Sequence, residues 1–215
     1  MFIDDMIKDS LPLWDKASEL KYVIDLYQGT LKEEALLNYI IEDSIYLFYY
    51  AKIFAYAITN CTNISEIKFF YSMMGFVNEN EVNLRNEILI RNNINPNDVI
   101  KYEPRSVNKR YIDHLLHYAK NGNIKEIVAA LLPCILSYNY IFNKLKKEYP
   151  KLNTQYDELT NEYLDSEYEK GCKEWIQFAN EYYDNLSELE KKNCLEIFHI
   201  SSELEYEFWE MFEEK

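Results

Sequence analysis

Three stretches of the sequence place a reactive or ionisable side chain beside aromatic residues at helical spacing. These groups are Cys134 with Tyr138, Asp43 with Tyr46, and Glu205 with Phe208 and Trp209. Positions three and four apart share one face of a helix, so each group would present its side chains together. A thiol can act as a nucleophile and a carboxyl group can move protons, so these residue types suit nucleophilic and acid–base chemistry. The spacing alone does not require the three faces to meet.

Each of these side chains also has an ordinary structural interpretation. A buried cysteine such as Cys134 is most often an inert small hydrophobic residue. Asp43 lies on an otherwise apolar helix, where a buried carboxylate needs either a structural hydrogen bond or a function. Glu205 lies among other glutamates and fits a solvated acidic face. With 20 tyrosines in the chain, a single tyrosine more often belongs to a core or an interface than to a pocket.

The pattern of the whole chain predicts a single all-α domain over residues 1–215. Only four glycines and five prolines occur in 215 residues, and no segment alternates as a half-buried strand would. The predicted helices cover residues 32–59, about 65–91, a short segment from Pro96 with Asn95 as its cap, 106–119, 124–149, and about 189 to the carboxy-terminal end. The segment 124–149 is apolar on most faces and contains Pro133, so it is predicted to be the buried centre.

Charge and hydropathy exclude several classes of protein. The formal net charge is −14, whereas a protein that binds nucleic acid through its phosphates needs a basic face. No run of 18 apolar residues occurs, and Asp4 and Asp5 lie where a signal peptide would be basic. The expectation is a cytoplasmic protein without nucleic-acid or membrane partners.

The sequence predicts no metal and no cofactor. The four cysteines are widely spaced and form no CxxC pair, which favours neither a zinc site nor a disulfide framework. Glu196 and His199 form a Glu-x-x-His pair of the di-iron type, but the second such pair that a di-iron site needs does not occur. No histidine that could serve as an axial haem ligand occurs near the amino terminus, since the first histidine is His114.

Several motifs follow one another in a fixed order along the chain. They are Gly29-Thr30-Leu31, Tyr39 with Glu42-Asp43-Ser44, Ala51-Lys52, Tyr111 with His114, the AALLPC stretch ending at Cys134 and followed by Tyr138, and Ile200-Ser201-Ser202 with Glu205-Tyr206-Glu207-Phe208-Trp209. This series resembles the TenA family, also called thiaminase II or aminopyrimidine aminohydrolase, from about Trp14 to Met211. The resemblance is specific because reactive and polar positions recur in order across separate segments.

The resemblance implies a helical bundle of the haem-oxygenase-like type, usually a homotetramer. It implies hydrolysis of 4-amino-5-aminomethyl-2-methylpyrimidine and, less efficiently, of thiamin, which yields the hydroxymethyl pyrimidine used to rebuild thiamin. It also implies that Cys134 is the nucleophile and that Glu205 donates and accepts the proton. The substrate contacts that it implies are Asp43, Tyr46, Tyr111, Tyr138 and Tyr163. The expected partner is therefore a small molecule, an aminopyrimidine or thiamin.

The assignment of Tyr163 depends on one alignment. Tyr156 and Tyr163 match the family's YxxWIxxY, although Leu159-Thr160 replace the Trp-Ile pair. An alternative alignment on Trp175-Ile176 puts Ala179 at the tyrosine position. Tyr163 is preferred because its spacing to the last motif needs no large gap.

Three further positions depart from the family pattern. Glu42 replaces a glutamine before Asp43, Ile45 replaces an aromatic residue, and Arg85 stands where the family has a histidine after Glu81. These departures bear on substrate preference rather than on catalysis.

Two functions of other classes stay open at the level of the sequence. One is a protein that only binds pyrimidines, against which the presence of both Cys134 and Glu205 argues. The other is an interaction protein in which the many tyrosines and phenylalanines contact partner proteins. Turnover distinguishes the first from an enzyme, and the acidity of the chain argues against direct contact with DNA.

Overall fold

Every regular element among the described residues is helical. The structure, a computed structural model, describes residues 1–74, 79–150 and 156–213, and within α5 it describes side chains only from residue 83 onward. The helices are α1 (Phe2–Glu19), α2 (Lys21–Gln28), α3 (Glu33–Thr59), α4 (Ile64–Met73), α5 (Glu79–Arg91), α6 (Ser106–Asn121), α7 (Ile124–Glu148), α8 (Asp157–Asn161), α9 (Ser166–Tyr183) and α10 (Glu188–Glu210), with 3-10 segments at Pro96–Lys101 and Glu162–Leu164. The all-α prediction is confirmed.

Local capping explains why the predicted helices begin where they do. The Asn123 side chain accepts hydrogen bonds from the backbone of Lys125 and Glu126, and Glu126 bonds back to the Asn123 N–H, so a capping box starts α7. Ser187 and Glu190 form the same arrangement at the start of α10. Both boxes satisfy backbone N–H groups that have no partner inside the helix.

The structure differs from the sequence-based prediction in three regions. Two helices, α4 and α5, lie where one continuous helix over about 65–91 was predicted, and the middle of that prediction falls outside the described residues. The helices α1 and α2 near the amino terminus, and α8 and α9 after residue 156, were not predicted from the sequence pattern. The short helix from Pro96 with Asn95 as its cap is present as predicted and is a 3-10 helix.

The helix α7 forms the centre of the bundle. It contacts α10, α9, α1 and α6, and its residues from Ile127 to Pro133 are buried without interruption. By length and composition alone α7 is apolar enough to cross a membrane, but 61% of its apolar window is buried inside the fold. Its hydrophobicity is therefore that of a core helix packed on several sides, and Cys134 follows directly after this buried stretch.

The motif at residues 29–31 redirects the chain into α3, the helix that carries Asp43. Gly29 ends α2 with φ of 71°, in the left-handed region that glycine enters without strain. The Tyr156 hydroxyl then donates a hydrogen bond of 2.9 Å to the Leu31 carbonyl oxygen. The start of α3 is thus fixed to the chain segment that leads to Tyr163.

Candidate active site

Cys134, Tyr111 and Glu205 form one cluster although they lie on three helices. Cys134 belongs to α7, Tyr111 to α6 and Glu205 to α10. The Tyr111 hydroxyl donates a hydrogen bond of 2.5 Å to Glu205 Oε1, and the Cys134 thiol lies near enough to the same carboxyl group to affect its pKa. Glu205 is 2% exposed and Tyr111 is 1% exposed, whereas Cys134 is only partly buried. A partly accessible thiol therefore lies beside a dry carboxyl group.

Burial changes the proton affinity of both reactive groups. Removal from water raises the pKa of Glu205 from 4.5 to about 7, while hydrogen bonds from Tyr111 and Cys134 oppose the rise and the charge of Asp43 adds to it. Burial also raises the pKa of the Cys134 thiol well above its ordinary value, and the Glu205 carboxylate adds to that rise. Near neutral pH, Glu205 can both give and take a proton, and Cys134 is a neutral thiol.

Tyr46 adds an aromatic ring and a hydroxyl group to this cluster. Its ring stacks on Tyr111 with centroids 5.2 Å apart. Burial raises the pKa of Tyr46, and the nearby Cys134 and Glu205 raise it further. By distance and angle the buried Tyr46 hydroxyl makes no hydrogen bond to the described residues, but it lies close enough to Cys134 and Tyr111 to oppose the rise in the pKa of both. A bound polar ligand would complete its hydrogen bonding.

Asp43 forms a buried ion pair with Arg85. Arg85 Nε donates a hydrogen bond of 2.5 Å to Asp43 Oδ2, and the two residues are 2% and 4% exposed. Arg85 Nη2 also donates to the Tyr163 hydroxyl at 3.2 Å and lies 3.5 Å from Glu162 Oε1. Burial raises the pKa of Glu162, and the Arg85 charge opposes the rise. One guanidinium group thus joins α3 and α5 to the 3-10 segment after α8.

Aromatic rings connect the ion pair to the thiol cluster. The Tyr138 ring lies 4.8 Å from that of Tyr163 and 5.2 Å from that of Trp209, measured between centroids. Tyr39 stacks on Trp209 at 5.3 Å with an angle of 9° between the rings. Phe208 packs against Tyr46 at 6.1 Å. Flat aromatic faces of this kind suit a flat heterocyclic ligand.

The structure brings all the sequence-predicted site residues together. The members of this group are Cys134, Glu205, Asp43, Tyr46, Tyr111, Tyr138 and Tyr163. Tyr163 contacts Tyr138 and Arg85, whereas Trp175, the anchor of the alternative alignment, packs against Phe54 and Phe69 in another part of the core. Their convergence makes this region the candidate active site.

The sequence interpretation missed several residues that line this region. Arg85 was noted only as a departure from a motif, and its pairing with Asp43 was not predicted. Glu162 directly precedes Tyr163, and that adjacency was the available signal for it. Tyr39 lies in one of the family motifs, but no function was predicted for it. In the structure its ring stacks on that of Trp209, which borders the candidate site.

Two motif residues have structural contacts. Glu42 is 5% exposed and accepts hydrogen bonds from the Arg105 backbone N–H at 3.1 Å and from Asn108 Nδ2 at 2.8 Å. It therefore caps the start of α6 from a neighbouring helix. His114 Nε2 lies 2.9 Å from Ser201 Oγ, and burial lowers the pKa of His114 to about 4. This histidine holds α6 against α10.

Metal ligation has no support among the described residues. Within them, no group of three or more His, Cys, Asp or Glu side chains is placed to hold an ion. His199 Nδ1 lies 2.7 Å from Asp9 Oδ2, and its Nε2 lies 3.6 Å from Glu203 Oε1. The histidine of the Glu-x-x-His pair therefore belongs to a surface network between α1 and α10.

Comparisons with known proteins agree with this geometry. A family model described as the TENA/THI-4/PQQC family matches residues 7–215 of the chain. A relative from Helicobacter pylori, named aminopyrimidine aminohydrolase, is 27% identical over 208 residues, which cover 96% of this chain and 95% of that protein. A relative of the same name from Halalkalibacterium halodurans is 26% identical, and the match covers 98% of this chain and 94% of that protein.

Solved structures support the same architecture. A protein described as a TenA homologue from P. horikoshii OT3 is 28% identical, with a TM-score of 0.85 over 99% of this chain and 98% of that one. A domain with a heme oxygenase-like fold from Shewanella denitrificans has a TM-score of 0.72 at 11% identity, over 98% of this chain and 91% of that one. The second likeness shows the fold alone, and the predicted haem-oxygenase-like bundle is confirmed.

Proposed function

Since the chain belongs to the TENA/THI-4/PQQC family, we propose that it is an aminopyrimidine aminohydrolase of thiamin salvage. The proposed reaction is hydrolysis of 4-amino-5-aminomethyl-2-methylpyrimidine to the 5-hydroxymethyl compound, with thiamin as a less efficient substrate. The names of the relatives support the reaction class. The matching motifs support the residue roles, because each reactive residue of the resemblance is present in this chain.

One observation carries the proposal. The Cys134 thiol lies against Glu205, whose pKa is raised to about 7 mainly by burial. A general acid–base catalyst works best when its pKa lies near the working pH, and a nucleophilic thiol needs a base at the moment of attack. The raised pKa of Cys134 argues against a preformed thiolate in the free protein. Glu205 therefore takes the thiol proton only when the substrate is in place.

The bond changes follow from this proton position. Cys134 Sγ forms a bond to a ring carbon of the pyrimidine, and the thiol proton passes through Glu205 to the ring nitrogen beside that carbon. The aminomethyl group reacts in its protonated form, so the breaking C–N bond leaves its electron pair on nitrogen and the group departs as neutral ammonia. Water then bonds to the methylene carbon and loses one proton to that ammonia, which leaves as ammonium. Finally the ring nitrogen returns its proton to Glu205, the C–S bond breaks to restore the aromatic ring, and Glu205 passes the proton back to the Cys134 thiolate.

The remaining residues bind the ring in this proposal. Asp43 accepts a hydrogen bond from the exocyclic amine, and the rings of Tyr138 and Tyr163 pack on the heterocycle. Tyr111 orients Glu205 through its hydrogen bond of 2.5 Å. The Tyr46 hydroxyl, which makes no hydrogen bond of good geometry to the described residues, would gain one from the ligand.

We also propose that the protein acts in the cytoplasm as a homotetramer, as the resemblance implies. Light scattering coupled to size-exclusion chromatography measures the mass of the assembly directly. A monomer of 25.9 kDa in that measurement would contradict the tetramer. The catalytic proposal does not depend on the result, because every residue named above lies in one chain.

Product analysis tests the catalytic proposal. The pure protein is incubated with the aminomethyl pyrimidine and, separately, with thiamin, and the hydroxymethyl product is quantified by chromatography and mass spectrometry. We expect product from the wild type and from Cys61→Ser, a control at a partly exposed cysteine outside the site, and none from Cys134→Ser. Equal turnover by Cys134→Ser would exclude the thiol mechanism.

The same experiment separates the enzyme from a binding protein. If neither substrate is converted but the pyrimidine product binds tightly, the chain sequesters pyrimidines without hydrolysing them. The relative rates of the two substrates identify the preferred leaving group.

A further inference from the structure

The carboxylate that would bind the ring is already paired with an arginine. Asp43 Oδ2 accepts a hydrogen bond from Arg85 Nε, and both side chains are almost completely buried. We propose that Arg85 determines specificity: by engaging one oxygen of Asp43 it leaves the other for a single donor, so the site selects the pyrimidine ring in its neutral form. This inference rests on the proposed function, because it concerns the ligand of the same site.

The hydrogen-bond pattern of the ligand edge gives the first argument. An aminopyrimidine edge, a ring nitrogen beside an exocyclic amine, offers one acceptor and one donor when neutral, and two donors when that nitrogen is protonated. A carboxylate with two available oxygens matches the protonated, two-donor edge. Asp43 Oδ1 receives no hydrogen bond from the described residues, whereas Oδ2 is engaged by Arg85. One available acceptor matches the single amine donor of the neutral ring.

Charge gives a second, independent argument. The Arg85 guanidinium group compensates the Asp43 carboxylate within the fold, and a protonated ring held by Asp43 would put a second cation beside the first. In a buried site two like charges repel strongly. A neutral ring leaves the ion pair balanced.

Other ionisable groups face this pair from five elements. They are Glu162 and Tyr163 from the 3-10 segment, Tyr39 from α3, Cys134 and Tyr138 from α7, Glu205 from α10 and Tyr22 from α2. Burial raises the pKa of Glu162 and of Glu205, so both carboxyl groups hold a proton more readily than exposed ones. The Arg85 charge opposes the rise at Glu162, whose Oε1 lies 3.5 Å from Arg85 Nη2, so the same guanidinium group also balances charge on this second carboxyl group.

Nitrogen NMR of the bound product reads the protonation state directly. The ligand is 15N-labelled 4-amino-5-hydroxymethyl-2-methylpyrimidine, and the free compound in acid and in alkali gives the two reference shifts. In the wild-type complex we expect the ring nitrogen beside the amine at the neutral position. In Arg85→Gln we expect that signal to move towards the protonated position, because the uncompensated Asp43 then shares a proton with the ring.

The protein offers a matched control on the same two helices. Arg91 of α5 pairs with Glu33 of α3 at 3.3 Å, as Arg85 pairs with Asp43, but Arg91 is exposed. Arg91→Gln removes the same charge outside the site, so the ring signal is expected to stay at the neutral position. A merely structural role of Arg85 would not change the protonation of the ligand, which makes this signal diagnostic.

The outcomes distinguish the two levels of the proposal. A protonated ring in the wild-type complex, or an unchanged signal in Arg85→Gln, would overturn this inference and leave the proposed function intact. Absence of product binding by the wild type would overturn both. If Arg85→Gln fails to fold, as judged by circular dichroism, Arg85→Lys tests the charge argument. Lysine keeps the cation, so the ring is expected to stay neutral, and a protonated ring in that variant would overturn the inference.

Discussion

The Tyr111 hydroxyl lies 2.5 Å from Glu205 Oε1, and this hydrogen bond joins α6 to α10 inside the core. It opposes the effect of burial on the carboxyl group, because a phenol that donates to a carboxylate stabilises the charged form. The proton affinity of Glu205 near neutral pH is therefore a balance between a dry environment and this one donor.

Removal of the donor should disturb that balance. We expect Tyr111→Phe to raise the pKa of Glu205 above its value of about 7, which moves the corresponding limb of the kcat/KM profile to higher pH. The lost hydrogen bond to a charged group should also lower kcat/KM by about tenfold or more. Rates across a pH series measure both effects.

Tyr118→Phe is the matched control, because Tyr118 lies on the same helix but packs against His114 and His117. Its profile should overlay that of the wild type. If the Tyr111→Phe profile also overlays that of the wild type, Glu205 is not the group whose ionisation causes this pH dependence of kcat/KM.

The raised pKa of Glu205 also predicts how stability depends on pH. The folded-state pKa of about 7 lies above the ordinary 4.5, so the folded protein holds this proton more tightly than the unfolded chain. The associated stability is fully present below about pH 4.5 and is lost as the pH rises to about 7. Glu205→Gln removes this dependence. As the pH rises from about 4.5 to about 7, the free energy of unfolding of the variant should increase by about 3 kcal/mol relative to that of the wild type.

Urea unfolding at a series of pH values measures this difference. Glu196→Gln is the control, because Glu196 is exposed on the same helix, and its stability should change with pH in parallel with the wild type. Parallel curves for Glu205→Gln and wild type would contradict a raised pKa in the folded protein.

Alkylation tests the state of the Cys134 thiol in the free protein. Because its pKa is raised, the rate of its reaction with iodoacetamide should keep increasing with pH beyond pH 9. At pH 8 it should be about tenfold slower for each unit of that rise than for an ordinary thiol. Peptide mass spectrometry in a Cys61→Ser background follows Cys134 without interference from the other partly exposed cysteine. A rate that levels off below pH 8 would indicate a preformed thiolate.

Glu42 should affect stability and not chemistry. Its carboxylate accepts hydrogen bonds from the Arg105 backbone N–H and from the Asn108 side chain. Glu42→Ala leaves these buried donors without a partner, so we expect a loss of about 2 kcal/mol in the free energy of unfolding. Glu42→Gln, which keeps an acceptor, should lose less.

Urea unfolding and the kcat of the folded fraction separate the two effects. A fall in kcat without a change in stability would place Glu42 in the catalytic machinery.

Helical spacing and ordered motifs carry local information, and this information allowed the sequence to group the residues of the candidate site. Asp43 and Tyr46, or Cys134 and Tyr138, share a face whenever their helices form, and the resemblance linked these faces. The ion pair between Asp43 and Arg85 could not be predicted in this way. Arg85 lies in a polar stretch of α5 that is typical of a solvated surface, and only the packing of α5 on α3 buries it.

The prediction of helices was limited in the same way, because local signals can be recognised in the sequence and contacts between distant residues cannot. Asn123 and Ser187 mark the starts of α7 and α10 because a cap is a local device. The acidic, tyrosine-rich region that contains α9 does have apolar residues at helical spacing, Cys172, Trp175, Phe178 and Ala179, but many charged residues separate them, and Trp175 packs on the distant ring of Phe54. Tertiary packing determines whether such a segment forms a stable helix and which of its faces is buried.

The reactive side chains are distributed from residue 43 to residue 205, on α3, α6, α7 and α10. No pair of neighbouring helices contains them all, so the complete cluster forms only when α3, α6 and α10 have all been assembled with α7. Contacts between such distant positions form late, because chain entropy opposes them until much of the bundle is assembled. During refolding, the helical circular dichroism signal should therefore return before the catalytic activity does. The rate at which activity returns then measures the rate of the last docking step.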